Sequence, residues 1–310
     1  MTRMPVGLYA ATRVRSYERG FDWTYEVPPR QALRELTPVV WDGLWLNTGD
    51  QTNGLCAVVT NLEGWLDSPP LDGNDVARVI SDGSAWGPKV LRQRTVILSG
   101  AVTGPREELG RFRDQLAVRA AAREPVLFAV GDWDLQRVLT ADVRAGSEQF
   151  RVQWLGSAGF RYQVALTAAD PALSQGTWQT VELTNITEAT GRDYPRTHPW
   201  RYAAAIPNSA LLRNTGNHPA PVYAAYTGDL SESLLTDGIG GIRLATIETG
   251  VQILVATANL TAEAPGGYSR ASMILPGSRP MTIAGASSVR WTLRAGGRGS
   301  VVLAWRSTWV

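Results

Sequence analysis

The sequence predicts a mainly β protein of two domains with one helix. Apolar residues recur at every second position in many segments, glycine-rich turns separate those segments, and a single stretch carries a helical stripe. A chain of 310 residues exceeds what one hydrophobic core usually organises, which favours two domains. The 44% hydrophobic content argues against wholesale disorder.

Thr95 to Val102 reads as a strand leading into the helix. Pro105 suits the first helical position, where its missing N–H would be unbonded anyway. Glu107 and Glu108 in the first turn, and Arg119 and Arg123 in the last, match the helix dipole. Leu109, Phe112, Leu116 and Ala120 form one stripe, so the helix is expected to pack on a sheet and show its arginines to solvent.

Phe150, Val152 and Trp154 alternate with polar residues, as do Tyr162, Val164 and Leu166 after the turn Gly156-Ser157-Ala158-Gly159. This is an antiparallel hairpin with one buried face. Asp170-Pro171 closes that region. Gly191, Pro195, Pro199 and Pro207 then mark a surface connector, because proline cannot serve a central ladder. Beyond it, Val251/Ile253/Val255, Val289/Trp291/Leu293 and Val301/Leu303/Trp305 alternate again, with Ala295-Gly296-Gly297-Arg298-Gly299 as a turn. The expected domains are 1–170 and 171–310.

Composition narrows function. A net charge of +2 and the absence of a basic run predict no specific nucleic-acid binding. Lys89 is the sole lysine among thirty basic residues, as a GC-rich coding genome would give. No stretch approaches eighteen apolar residues, so no transmembrane helix is expected. The opening MTRMPVGLYAATRVRSYERG lacks the apolar core of a secretory signal, which predicts synthesis in a cytoplasm. Cys56 is the only cysteine, excluding an internal disulfide and a cysteine zinc cluster, and its apolar neighbours suggest a buried thiol.

No catalytic, cofactor or metal site emerges. His198 and His218 sit in proline-flanked loops outside any HExxH arrangement, and no GxSxG elbow or phosphate loop is present. Gly238-Ile239-Gly240-Gly241 reads as a turn. Asp132 and Asp134 flank Trp133 and could share a strand face as a glycosidase pair, but a hairpin turn explains them better. Asp72, Asn74 and Asp75 lack the twelve-residue calcium loop and also read as a turn. Twelve tryptophans outnumber five phenylalanines. Strand-borne Trp154, Trp291 and Trp305 are in phase with aliphatic residues and fit a core, whereas Trp65, Trp86 and Trp200, near turns, are the candidate interface residues.

Several motifs, in order, resemble the distal tail protein of long-tailed bacteriophages. These are Asn61-Leu62-Glu63-Gly64-Trp65, the arginine-flanked strand Arg92 to Gly100 running on to Arg106-Glu107-Glu108-Leu109, and Phe160 to Ala168 followed by Ala169-Asp170-Pro171. Gly191-Arg192-Asp193-Tyr194-Pro195-Arg196-Thr197-His198-Pro199-Trp200, then Asn214-Thr215-Gly216-Asn217 with Pro219, Pro221 and Gly228, and finally Trp305-Arg306-Ser307-Thr308-Trp309, complete the series. The resemblance implies an N-terminal β-sandwich or split barrel like the tail tube, followed by a galectin-like β-sandwich. It also implies a non-enzymatic homo-hexameric ring at the virion's tail tip, of non-contractile type, assembled in the host cytoplasm. Its partners would be the tail tube protein, the baseplate hub or tail-associated protein, and the tape measure protein. A glycan- or receptor-binding module is the alternative.

Overall fold

The computed structural model describes residues 38–47, 49–50, 54–73, 76–77, 84–85, 89–132, 137–145, 150–185 and 208–310. The chain divides into two compact units at Gly176/Thr177, and Trp309 and Val310 belong with the first. The first unit contains β1 (Val39–Trp41), β2 (Leu44–Trp45), β3 (Gly49–Asp50), β4 (Cys56–Glu63), β5 (Leu71–Asp72), β6 (Val76–Ala77), β7 (Ser84–Ala85) and β8 (Val90–Leu91). It continues with β9 (Arg94–Thr103), α1 (Arg106–Ala120), β10 (Val126–Asp132), β11 (Arg137–Ala145), β12 (Arg151–Trp154), β13 (Gly159–Ala168) and β14 (Leu173–Gln175).

The main sheet runs β2-β1-β10-β11-β13-β9-β4-β3, with β12 beside β13 and β14 beside β11. β13 lies antiparallel along β9 for its whole length, from Gly159↔Thr103 to Ala168↔Arg94. Between β11 and β13 the ladder shrinks to Val143↔Ala168, Arg144↔Thr167 and Ala145↔Leu166, so the sheet has two halves joined at a narrow corner. Both halves and α1 feed one core. The helix buries Leu109, Phe112, Leu116 and Ala120 as their spacing predicts, with Pro105 as N-cap instead of first helical residue. The two leucines and the phenylalanine each stabilise by about 1.5–3 kcal/mol on full burial, and the alanine methyl by less. Arg119 departs from the expected solvated arginines. Its Nε donates to the Trp41 carbonyl at 2.9 Å and its Nη2 to that of Asp42 at 2.8 Å, tying the end of α1 to the β1–β2 turn.

The second unit contains β15 (Gln179–Thr184), β16 (Ser209–Asn214), β17 (Ala220–Gly228), β18 (Ser231–Thr236), β19 (Gly241–Leu244) and β20 (Gln252–Ala256). After these come β21 (Thr261–Ala264), β22 (Tyr268–Ser269), β23 (Thr282–Ile283), β24 (Ser287–Gly296) and β25 (Gly299–Trp305). A seven-stranded sheet, β15-β25-β17-β20-β21-β22 with β23 beside β17, and a four-stranded sheet, β16-β24-β18-β19, contribute to a common core. Ile253, Val255, Trp291, Leu293, Val301, Leu303 and Trp305 are buried there as their alternation predicts, whereas Val289 is only partly buried and Val251, which precedes β20, is exposed. β24 and β25 follow one another through Gly297-Arg298 yet belong to different sheets, so this glycine-rich turn is a corner between layers. Within the expected connector 171–207, Leu173–Gln175 and Gln179–Thr184 are ladder strands, not surface linker. Its proline-rich part, 186–207, lies outside the described residues.

Candidate functional site

Three of the sequence motifs meet at one side chain. Arg94 shares the inward phase of Val96, Leu98 and Val102 on β9 and is 2% exposed. Its Nη1 donates to the carbonyls of Gly64 at 3.0 Å, Trp65 at 2.8 Å and Asp67 at 2.6 Å, and its Nε to that of Pro171 at 2.9 Å. Burial pushes its pKa down from the usual arginine value, while the charge of Asp67 opposes the shift. Gly64 is required at this place, since its φ is +81° and a Cβ would lie 2.2 Å from the Thr95 carbonyl oxygen. Asp170 completes the corner, its Oδ1 accepting from the Ala172 N–H at 2.9 Å. A lone basic residue in apolar phase was the signal for this clamp, and sequence reasoning passed over it.

The 214–217 motif does the same in the second unit. Asn214 is buried, and its Nδ2 donates to the carbonyls of His218 at 2.7 Å, Ile283 at 3.2 Å and Ala284 at 3.2 Å. Its Oδ1 accepts from the N–H groups of Gly216 at 2.9 Å and Thr308 at 3.4 Å. At Gly216 any Cβ would meet the Thr308 carbonyl oxygen at 1.8 Å. These motifs hold the fold.

The remaining candidates are dispersed. His218 uses its backbone in the bridge to Thr308. Asp132 ends β10 opposite Arg137, and Asp134 lies outside the described residues, as do Asn74, Asp75 and His198. Asp72 is a strand residue of β5 instead of a turn residue, paired with Arg92 at 2.8 Å, whose hydrogen bond holds its carboxyl below the usual range. Cys56 is half-buried at the start of β4, so its thiol is less enclosed than its apolar neighbours suggest. Gly238–Gly241 is the expected turn, with the Asp237 carboxylate accepting from the N–H groups of Ile239 and Gly240. Among the described residues no three His, Cys, Asp or Glu side chains gather as metal ligands, and no helix is long and apolar enough to cross a membrane.

The tryptophans change places. Trp65, expected at an interface, is 2% exposed and packs edge-on against Phe128 with ring centroids 5.1 Å apart. Arg94 holds that loop inward through the Trp65 carbonyl. Trp154, expected in the core, is 44% exposed because β12 is bonded along one edge only, to β13, among the described residues. Its ring leans on Phe160 at 5.2 Å, and Leu155 beside it is equally exposed. Trp86 and Trp200 lie outside the described residues.

Two short two-stranded ribbons of the same unit stand apart from its main sheet. β6 pairs β7 in one, and β5 pairs β8 in the other. The latter carries Leu71 at 62% exposure and Val90 at 63%. Isolated two-stranded ribbons are marginal in water, and a one-sided strand edge offers N–H and C=O groups for pairing.

The class defined by both units is a mainly antiparallel β protein with a single described α-helix. No protein-family model matches the chain, and no curated protein matches it. Solved structures do. The crystal structure of the SPP1 Dit (gp 19.1) protein, presented as a paradigm of the hub adsorption apparatus in phages infecting Gram-positive bacteria, matches with a TM-score of 0.58. The match covers 88% of this chain and 99% of that one at 14% identity. A chain of the phage P2 baseplate, in its activated conformation with calcium, matches at a TM-score of 0.50 and 10% identity, covering 88% and 98%. The chain therefore shares its fold with these proteins over nearly its full length.

Proposed function

We propose that the chain is a structural component of a phage tail tip, a distal tail protein that closes into a homo-hexameric ring and joins the tail tube to the baseplate hub. In this reading the first unit builds the ring, and the second is a galectin-like sandwich available to the hub or tail-associated protein. The protein acts by assembly and not by catalysis, and its place is the virion. The observation that carries the reading is the open β12 edge with exposed Trp154 and Leu155, on a fold shared with the SPP1 Dit protein. Pairing that edge with a second copy would satisfy its free backbone groups and cover both apolar side chains.

Negative-stain imaging with mass photometry tests this directly. Annuli with a central hole, at six times the monomer mass, are expected for the native chain. Trp154→Glu with Leu155→Glu should shift the population to monomers with an unchanged circular dichroism spectrum. A native chain that stays monomeric at every concentration, even beside tail-tube and hub proteins, would overturn the proposal.

A further inference from the structure

The two sheets of the second unit sort their charges. The strands of the seven-stranded sheet hold no basic residue and two carboxylates, Glu182 and Glu263. The four-stranded sheet holds Arg213 on β16, Arg243 on β19, and Arg290 and Arg294 on β24, against the one carboxylate of Glu232. All four arginines are exposed, while Leu212, Trp291, Leu293, Ile242 and Leu244, alternating with them, are buried. The guanidinium groups therefore share the face turned away from the core. A genomic preference for arginine would enrich both sheets alike. Sorting by sheet calls for a cause at the surface.

Register gives the face its layout. Leu234 on β18 stands opposite Arg294 on one side and Arg243 on the other, so these two arginines are two strand spacings, about 10 Å, apart. Arg290 and Arg294 lie about 13 Å apart along β24. Arg213 pairs with Ser288, diagonal to Arg290. Thr292, between Ser209 and Thr236, adds a row of hydroxyl side chains. A shallow open groove lined by Ser231, Glu232, Leu234, Arg243, Thr246 and Arg294 crosses one end. Glu232 sits there at the β-bulge between Ser231 and Leu234, with φ 46°.

We infer that this face binds a flexible linear polyanion built of repeated phosphate groups. Guanidinium forks pair phosphate oxygens bidentately, hydroxyls donate to the oxygens left over, and spaced cations suit a chain of repeated charges. An acidic protein surface is the weaker fit. The strands of this face supply no exposed aromatic and one strongly exposed apolar side chain, Leu211, where a protein interface of standard size needs a central anchor. The overall charge of +2 conceals the face because it averages over the chain.

The test uses the full chain and fluorescent inorganic polyphosphate, read by anisotropy across a sodium chloride series. Binding should weaken with salt. Arg243→Gln with Arg294→Gln should lower the slope of log K against log salt by roughly 1.5, with at least tenfold weaker binding near 0.1 M salt. Arg270→Gln, outside this sheet, should change nothing, and Glu232→Gln should tighten binding, a gain that misfolding cannot produce. Equal loss from Arg270→Gln, an unchanged slope, or no gain from Glu232→Gln would overturn the inference. Competition by poly-glutamate at equal charge concentration as strong as that by unlabelled polyphosphate would assign the face to acidic polypeptides and overturn it as well.

Discussion

Arg94 in the first unit and Asn214 in the second fasten loops by different chemistry. Arg94 gathers four carbonyls with a buried cation, reaching from residue 64 to residue 171. Asn214 uses a neutral amide that both donates and accepts, joining the backbone near 216, 283 and 308. A cation taken out of water is costly unless its donors are used, whereas an amide carries no ionic desolvation penalty. The charged fastener is thus the more damaging one to break, and the neutral one the more forgiving.

The comparison can be broken at several points. Arg94→Ala should destabilise the first unit by about 3 kcal/mol or more, because four carbonyls lose a charged donor. Hydrogen exchange should show lost protection in residues 64–67 and along β4–β9. Arg94→Lys should recover little, since a point ammonium cannot span the same carbonyls as a planar fork. Native-like stability of the lysine variant in urea unfolding would show that charge alone suffices. Asn214→Ala should cost less, about 2 kcal/mol, with faster exchange confined to the second unit near 216–218 and 308. Equal losses at the two sites would erase the proposed difference. The smallest effect belongs to Ala286, whose N–H donates to the Gly216 carbonyl while its φ is 51°. Ala286→Gly should raise stability by up to about 1 kcal/mol, seen as a higher midpoint with unchanged denaturant slope.

Periodicity made the strands legible. β9, β13, β24 and β25 and the stripe of α1 stand where alternation or helical spacing places them, because burying one face demands that pattern. Alternation assigns a side chain to a face without saying whether anything covers it. Trp154 has the right phase on a strand with one bonded edge, and Trp65 has no strand phase but is drawn in by Arg94. The motif order was readable, though the reason for each motif was not, since carbonyl acceptors belong to the backbone and leave no trace in residue type. The arginine face escaped for another reason: strands 213, 243 and 290 stand far apart in sequence, and only sheet order brings them side by side.

Lys89 adjoins Val90 at the start of β8 and is itself exposed. Amine-reactive chemistry consequently has a single side-chain target in the whole molecule. With the α-amino terminus blocked, a dye or crosslinker attached there would report from one defined spot, so energy transfer between labelled copies could time the meeting of subunits without engineering a cysteine.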